Sequence, residues 1–310
     1  MRIVFMGTPD FAISSLRILL EHDYTVISVI TVPDKPRGRG QEIAFSPVKK
    51  FALEHSLPIL QPENLKGPEF VSAVRALEPD LIVVVAFRIL PQEVYSIPRF
   101  GTFNLHASLL PKYRGAAPIN WAIIEGETET GVTTFFLQEK VDTGSVILQA
   151  RVKIGADETA GELHDKLAAV GAEIVLQSVH LIELGKAKPR AQEEGRTTPA
   201  PKFFKESCRI NWNNPSPKVH NFVRGLSPYP CAWTSHVGKA LKIYRTQLSP
   251  SITRESKTPG TIVEVGKKSL RVATNGDTIS ILEIQQEGKK RMGVEEFLRG
   301  YPLQQDDRFT

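Results

Sequence analysis

The chain has 310 residues, of which 41% are hydrophobic and 24% are charged, and its formal net charge is +5. This length suits one large domain or two ordinary ones, and it is ample for a buried core. The most apolar run, LIVVVAF at 81–87, is too short to span a bilayer, which argues against a membrane protein. Two cysteines cannot build a disulfide framework or a four-cysteine zinc site, so we expect a protein of the reducing cytoplasm.

The charge is unevenly distributed along the chain. Residues 1–200 hold 21 Lys and Arg against 24 Asp and Glu, whereas residues 201–310 hold 18 against 10. A mildly acidic body therefore carries a basic C-terminal part. Basic asymmetry of this kind is typical of proteins that bind a polyanion such as nucleic acid, although a solvated surface would give the same counts.

Strand and helix patterns alternate along the first part of the chain, beginning with RIVFMG at 2–7, which predicts a first strand rather than a signal peptide. The patterns that follow predict a helix at 10–22, a strand at 25–33, a Pro-rich and Gly-rich basic loop at 33–47, a short helix at 47–55, a short strand at 57–62, a helix at 69–78, a buried strand at 80–87, a strand at 101–109, a helix at 117–127, two strands within 130–154 and a long helix at 158–187. Such alternation predicts βαβ units around a parallel sheet, that is, a Rossmann-like α/β domain at 1–187.

The character of the sequence changes after residue 187. Residues 188–207 are polar and Pro-rich, and we interpret them as a linker. Short alternating segments separated by Gly and Asn-Gly turns fill most of 208–310. Five or six short strands with a basic surface predict a smaller OB-like β-barrel domain.

Several familiar kinds of active site are not supported by the sequence. The first strand-to-helix turn, GTPDF, lacks the three-glycine pattern of dinucleotide-binding proteins. The seven histidines are scattered without metal-ligand spacing, so no metal is expected. Ser108 lies in HASLL without a Gly-x-Ser-x-Gly elbow, so a serine nucleophile is not supported.

The stretch NLHASLLP at 104–111 is the strongest candidate for chemistry. Because alternate residues of a strand share one face, Asn104 and His106 are predicted to point the same way. Asp142, in a VDTG turn between strands, could orient the imidazole and help to move a proton. An amide and an imidazole on one face can both donate to a developing oxyanion, which suits acyl transfer without a covalent intermediate. Taken singly, each residue also has an ordinary structural interpretation.

The motifs NLHASLLP, GTPDFA, PDKPRGRGQ, SPVK, RGAAPI and DTG, in this order, closely resemble those of the folate-dependent formyltransferases, and the resemblance extends over essentially all of 1–310. It implies a formyltransferase catalytic domain at 1–187 and a tRNA-binding barrel at 208–310. The implied reaction moves the formyl group of 10-formyltetrahydrofolate to the α-amine of methionyl-initiator tRNA, for initiation of translation. One departure is AFRILP at 86–91, which is one residue shorter than the family pattern and has Arg88 at an expected glycine.

The resemblance also implies roles for individual residues. Asn104 and His106 would stabilise the oxyanion, and Asp142 would position His106 and manage the proton. The wall of the folate pocket would be formed by Ser108, Leu109, Leu110 and Pro111, and the basic loop would contact tRNA through Lys35, Arg37 and Arg39. A monomer acting in the cytoplasm is expected.

Two alternative functions remain open from the sequence. One is formyl transfer to a small amine such as a nucleotide sugar or glycinamide ribonucleotide, for which neither the basic loop nor the basic tail would be needed. The other is a catalytically inactive RNA-binding protein on the same fold, for which Asn104, His106 and Asp142 would have no reason to occur together.

Overall fold

A computed structural model of the chain describes residues 1–37, 42–248 and 257–310. The described residues form two compact units, each assembled from several stretches of the chain. Unit 1 comprises Met1–Pro118, Thr130–Val152 and His164–Pro199, and unit 2 comprises Ile119–Glu129, Lys153–Leu163 and Ala200–Thr310. The domain limits expected from the sequence, at 1–187, 188–207 and 208–310, stay a prediction about independently folding parts.

The described residues contain helices α1 Phe11–Glu21, α2 Pro47–Glu54, α3 Pro68–Ala76, α4 Gln92–Tyr95, α5 Pro118–Ile124, α6 Ala160–Glu183, α7 Ser216–Leu226 and α8 Val294–Gly300. The strands are β1 Arg2–Gly7, β2 Thr25–Ile30, β3 Lys35–Arg37, β4 Glu42–Ala44, β5 Ile59–Leu60, β6 Leu81–Val85, β7 Thr102–His106, β8 Arg114–Gly115, β9 Glu129–Phe136, β10 Val146–Lys153, β11 Pro199–Ala200, β12 Ala232–His236, β13 Lys239–Leu248, β14 Ile262–Val265, β15 Leu270–Ala273, β16 Thr278–Gln286 and β17 Met292–Gly293. Short 3-10 turns occur at Glu194–Arg196 and Glu206–Cys208.

Unit 1 is built on a seven-stranded sheet with the order β10-β9-β7-β6-β1-β2-β5. The pairs β1–β2, β1–β6, β2–β5 and β6–β7 are parallel, and β9 runs antiparallel to β7. The continuous apolar runs of β1 and β6 are almost entirely buried, as expected of central strands covered on both faces. The predicted Rossmann-like α/β fold is therefore confirmed.

Local sequence signals explain where several helices begin. The side chain of Ser46 accepts a hydrogen bond from Lys49 N at 3.1 Å, and Pro47 follows at the first helical position of α2. At the start of α6, Thr159 N donates to Glu162 Oε2 at 2.8 Å and Glu162 N donates back to Thr159 Oγ1 at 3.3 Å. This reciprocal pair is a capping box, which satisfies two backbone donors that the helix itself leaves unpaired.

The predicted loop at 33–47 is wrong in one respect, because part of it is a two-stranded ladder. β3 pairs with β4 in antiparallel register, with Lys35 opposite Ala44 and Arg37 opposite Glu42. Three-residue strands contain too few positions to show a period of two, so the Pro and Gly residues dominated the sequence pattern. At the base of this ladder, Lys49 Nζ pairs with Asp34 and donates to Gln61 Oε1 at 2.8 Å.

Unit 2 contains an antiparallel sheet with the order β12-β13-β16-β15-β14, and β17 also pairs with β16. The last residues of the chain join its two outer strands. Ser235 of β12 exchanges backbone hydrogen bonds with Thr310 at 2.9 and 3.0 Å, and Phe309 N donates to Gly260 O, just before β14, at 2.8 Å. The sheet is closed by this segment, which confirms the predicted β-barrel-like unit and pairs both of its outer strands.

Phe309 anchors the closing segment, since its ring is 1% exposed and lies in the apolar core of unit 2. We expect Phe309→Ala to lower the free energy of unfolding of unit 2 by about 3–5 kcal/mol, because it removes buried apolar surface and leaves a cavity. Urea denaturation followed by tryptophan fluorescence measures this selectively, because all three tryptophans lie in unit 2. Phe204→Ala, at a residue 70% exposed, is the matched control and should change stability by less than about 0.5 kcal/mol. Equal effects of the two substitutions would contradict the role given to Phe309.

Candidate active site

The candidate site lies where β7 ends, at the carboxyl edge of the parallel strands of unit 1. In the pairing of β6 with β7, Val84 is opposite Asn104 and Val85 is opposite Leu105, so β7 projects one residue further, to His106. Asn104 and His106 alternate along the strand and therefore occupy one face, as the sequence predicts. Ligands of open α/β sheets bind at this edge, because loops rather than helices cover it.

His106 is held in one orientation by a backbone carbonyl group. Its side chain is almost wholly buried, and its Nε2 lies 2.8 Å from the carbonyl oxygen of Tyr113. A carbonyl oxygen only accepts, so Nε2 must carry the hydrogen and donate it. In the neutral ring Nδ1 is then unprotonated, with a lone pair that is free to accept a proton.

Asp142 is the acidic group that faces this nitrogen. Its Oδ2 lies 3.9 Å from His106 Nδ1, and the same oxygen accepts a hydrogen bond from Gly115 N at 2.9 Å. The backbone of Asp142 has a φ of 56°, a left-handed conformation that few residues other than glycine tolerate but that aspartate adopts more readily than most. The separation is too long for a hydrogen bond, yet it is short enough for the carboxylate to stabilise a positive charge on the ring.

Asn104 is half-buried, and within the described part of the chain its side-chain amide has no hydrogen-bond partner. A half-buried amide that is not used internally is available to a ligand, since buried polar groups in folded proteins are normally paired. The structure thus brings together the three residues that the sequence singled out, Asn104, His106 and Asp142.

The segment 108–111 turns sharply beside His106 and is fixed by a hydroxyl of the neighbouring strand. Thr133 Oγ1 donates to Ser108 O at 2.6 Å and accepts from Leu110 N at 3.1 Å. Gln149 Nε2 donates to Leu110 O at 2.9 Å. Ser108 is fully buried, and its own hydroxyl donates to Lys112 O at 2.6 Å, so it stabilises the segment 108–111, the predicted wall of the folate pocket, from its buried side.

A glycine of β9 allows the wall to pack closely on the strand. A Cβ atom at Gly131 would lie 2.6 Å from Leu109 Cδ2 and 2.0 Å from Ala150 O, both closer than real contacts permit. Leu109 therefore occupies space that any other residue at 131 would fill.

Arg88, the residue that departs from the family pattern, holds the short loop at 86–91 in place through hydrogen bonds. Arg88 Nη2 donates to Pro62 O at 2.6 Å and Nη1 donates to Glu63 O at 2.9 Å, and burial lowers the pKa of this guanidinium. The next residue, Ile89, is 75% exposed. The side chain of Arg88 thus fixes the shortened loop through hydrogen bonds, while the neighbouring Ile89 side chain is exposed to solvent.

Two of the three basic residues predicted to contact tRNA lie among the described residues. Lys35 is exposed at the first position of β3, and the backbone of Arg37 pairs with Glu42. Arg39 lies outside the described residues.

Three contributors to the site were missed by the sequence analysis, namely the carbonyl of Tyr113, the backbone N–H of Gly115 and the side chain of Gln192. Gln192 Nε2 donates to the carbonyl oxygens of Asp142 at 3.0 Å and Gly144 at 2.9 Å. Tyr113 and Gly115 belong to the YRG that follows the SLLPK stretch, so closeness in sequence was a usable signal for them. Gln192 lies 50 residues from Asp142 and carries no such signal.

Among residues 1–37, 42–248 and 257–310, no group of three His, Cys, Asp or Glu side chains is arranged to hold a metal ion. Over the same residues, no helix combines the length and apolar character needed to cross a membrane.

Comparison with known proteins defines the class. Residues 1–179 match the family model described as formyl transferase, and residues 202–302 match the model of the formyl transferase C-terminal domain. The chain belongs to the formyl transferase family, which confirms the resemblance seen in the motifs. It is 52% identical to the methionyl-tRNA formyltransferase of Bacteroides fragilis over 312 residues, an alignment that covers 98% of this chain and 96% of that protein.

Solved structures show the same fold at low sequence identity. The N-formyltransferase of Helicobacter canadensis, in complex with folinic acid and dTDP-3-aminofucose, has a TM-score of 0.65 at 20% identity and covers 92% of this chain and 98% of its own. HypX of Aquifex aeolicus, in complex with tetrahydrofolic acid, has a TM-score of 0.66 at 21% identity. This comparison covers 100% of the present chain and 50% of HypX.

The geometry predicts that the charge of Asp142 matters for turnover. We expect Asp142→Asn to lower kcat for formyl transfer by about 10²-fold with little change in KM, because an amide cannot stabilise a protonated His106 ring. Steady-state kinetics with each substrate varied in turn measure this split. Asp165→Asn is the matched control, since Asp165 Oδ1 also contacts a histidine, His164 Nδ1 at 2.9 Å, but on the surface. A kcat for Asp142→Asn equal to that of the control would rule out the electrostatic role.

Proposed function

We propose that this chain transfers the formyl group of 10-formyltetrahydrofolate to the α-amine of methionyl-initiator tRNA. The observation that carries the proposal is the arrangement of His106, with Nε2–H bonded to Tyr113 O and Nδ1 facing Asp142, beside the amide of Asn104, which has no hydrogen-bond partner among the described residues. This arrangement occurs in a chain whose half-identical relatives over nearly full length are named methionyl-tRNA formyltransferases.

The side chains at the edge of β7 fit a formyl donor. Acyl transfer needs a hydrogen-bond donor for an oxygen that gains negative charge and a base for a proton that leaves an amine. Asn104 supplies an N–H donor that no other described residue uses, and the neutral ring of His106 supplies an unprotonated nitrogen on the same face. When bound, 10-formyltetrahydrofolate would supply the formyl carbon in an activated N-acyl form.

In this proposal Asn104 donates a hydrogen bond to the formyl oxygen as its negative charge grows. His106 can donate to the same oxygen only from Nδ1, because its Nε2–H is already used by Tyr113 O. Donation from His106 therefore requires the doubly protonated ring, which the carboxylate of Asp142 stabilises. Removing one donor of this kind typically lowers the rate by about 10²–10³-fold.

The same pair handles the proton of the attacking amine. As the amine nitrogen bonds to the formyl carbon, the unprotonated Nδ1 of His106 accepts the amine proton, directly or through a water molecule, and the positive ring next to Asp142 then donates that hydrogen to the oxyanion. When the bond between the formyl carbon and the folate nitrogen breaks, the same proton would pass to the leaving nitrogen, which returns the ring to its neutral form. Gly115 N keeps the carboxylate oxygen directed at the ring during this step.

Substrate binding is assigned to the surfaces around this pair. The segment Ser108, Leu109, Leu110 and Pro111 would line the folate pocket through backbone groups and apolar side chains, with Ser108 acting from within the wall. Lys35, Arg37 and Arg39 would contact tRNA phosphates, and the basic strands of unit 2 would bind the tRNA body. We expect the enzyme to act in the cytoplasm as a monomer.

The direct test is incubation of the purified chain with 10-formyltetrahydrofolate and charged initiator Met-tRNA, with elongator Met-tRNA in parallel. We expect formyl-methionine on the initiator and much less on the elongator. No formylation of either tRNA, with tRNA still bound, would overturn the proposal in favour of an RNA-binding protein. Formylation of a nucleotide-sugar amine alone would favour a small acceptor.

The exposed Lys35 of the β3–β4 ladder gives a prediction about tRNA binding. We expect Lys35→Ala to weaken tRNA binding and to reduce the slope of log K against log salt concentration by up to about 1, because one phosphate contact is lost. Filter binding at several salt concentrations measures the slope. Lys186→Ala removes a charge that is also exposed, just after α6, and serves as the control. An unchanged slope for Lys35→Ala would remove this residue from the tRNA surface.

A further inference from the structure

Residues 190–198, which follow α6, form hydrogen bonds to the backbone around the candidate site. Val146 N donates to Arg190 O at 2.7 Å and Arg190 N donates to Val146 O at 2.9 Å, which binds the segment to the start of β10. Further along, Thr198 accepts from the turn that follows β7, through its hydroxyl from Tyr113 N at 2.8 Å and through its carbonyl from Arg114 N at 2.9 Å. Residues 190–198 therefore bridge the two backbone regions that hold His106 and Asp142.

Gln192 is the residue of this segment that reaches both regions with its side chain. Its Nε2 donates to the carbonyl oxygens of Asp142 and Gly144, and its Oε1 accepts from Arg114 Nη2 at 2.6 Å and Nε at 3.2 Å. Both ends of the amide are fully used, and of its three partners Arg114 and Asp142 are half-buried and Gly144 is buried. Such a fully satisfied polar network fixes geometry more strongly than isolated surface contacts do.

These contacts close a ring of hydrogen bonds around the His–Asp pair. Arg114 binds Gln192, Gln192 binds the backbone of Asp142, and the carboxylate of Asp142 binds the N–H of Gly115, which is the residue after Arg114. Tyr113, on the other side of Arg114, holds His106. The two halves of the catalytic pair are thus attached to Tyr113 and Gly115, the two neighbours of Arg114, and Gln192 holds the loop of Asp142 against this segment.

We propose that Gln192 is a positioning residue for formyl transfer, which keeps the left-handed backbone of Asp142 at its working distance from His106 Nδ1. This inference rests on the proposed function, because its consequence is measured as formyl transfer. Gln192 does not touch His106 and acts only through Asp142 and Gly144.

The left-handed backbone of Asp142 makes such a restraint necessary. A non-glycine residue at a φ of 56° pays a conformational cost and persists only where its surroundings hold it. Gly144, two residues on, packs closely on the neighbouring backbone, since a Cβ there would lie 1.6 Å from Phe136 O. Without the two hydrogen bonds from Gln192, the loop between β9 and β10 would relax and Asp142 would move relative to the ring. Misplacement by about 1 Å can cost on the order of 10²-fold in rate.

The first experiment compares Gln192→Ala with a control on the same loop. We expect kcat for formylation of initiator Met-tRNA to fall by about 10²-fold, with both KM values within about twofold of wild type. Gln138→Ala is the control, because Gln138 also donates its side-chain amide within this loop, to Thr143 Oγ1 at 2.7 Å, but it is exposed and does not contact Asp142. Its kcat should match that of wild type.

The second experiment separates positioning from simple support of the segment. Gln192→Glu keeps an acceptor for Arg114 but has no N–H to donate to Asp142 and Gly144. We expect it to fold, because its charge pairs with Arg114, and to lose kcat as severely as Gln192→Ala, because its carboxylate oxygen faces the two carbonyl oxygens without a hydrogen to donate. If either variant failed to fold, the other would still test the inference.

The outcomes distinguish this inference from the proposed function. If wild-type protein formylates and Gln192→Glu keeps the wild-type kcat, Gln192 only anchors the segment and the inference is wrong. A rise in KM without loss of kcat would also overturn it, since that pattern indicates substrate contact. Absence of formylation by the wild-type protein itself would refute the proposed function instead.

Discussion

The hydrogen bond of 2.8 Å between His106 Nε2 and the carbonyl oxygen of Tyr113 joins the end of β7 to the segment that follows it, and both residues are buried. Because a carbonyl oxygen cannot donate, this bond selects one tautomer of the neutral ring. The other nitrogen is left open towards Asp142, and its chemistry is then decided by how closely that carboxylate is held. The N–H of Gly115 and the side chain of Gln192 hold Asp142 in place, so the function of these contacts depends on the orientation of the His106 ring.

Much of this could be predicted from the sequence because it depends on short-range patterns. Continuous apolar runs marked the central strands β1 and β6, and spacing of 3.6 residues marked the long helix α6. The period of two placed Asn104 and His106 on one strand face, where the structure has them. Asp142 is predicted at the same site both from its turn between two strands and from the family motif, and its left-handed φ is a conformation for which aspartate is among the better-suited residues.

The remaining features depend on tertiary contacts that leave little trace in the sequence. Tyr113 acts through its backbone carbonyl, and every residue type has one, so its identity gives no indication of this role. Gln192 lies in a polar, Pro-rich stretch that reads as a linker, yet its amide reaches a loop 50 residues away. Arg88 replaces an expected glycine, and only the structure shows that its guanidinium is used by the carbonyls of Pro62 and Glu63. The β3–β4 ladder is too short for any periodicity.

The orientation of the His106 ring can be measured directly by two-dimensional ¹H–¹⁵N NMR of the imidazole nitrogens, at alkaline pH where free histidine rings are neutral, with a His106→Ala spectrum to assign the signal. We expect Nε2 to carry the hydrogen and Nδ1 to be unprotonated. A ring protonated at Nδ1, or one that averages between the two tautomers, would contradict this expectation, because the bond to Tyr113 would then not determine which nitrogen faces Asp142.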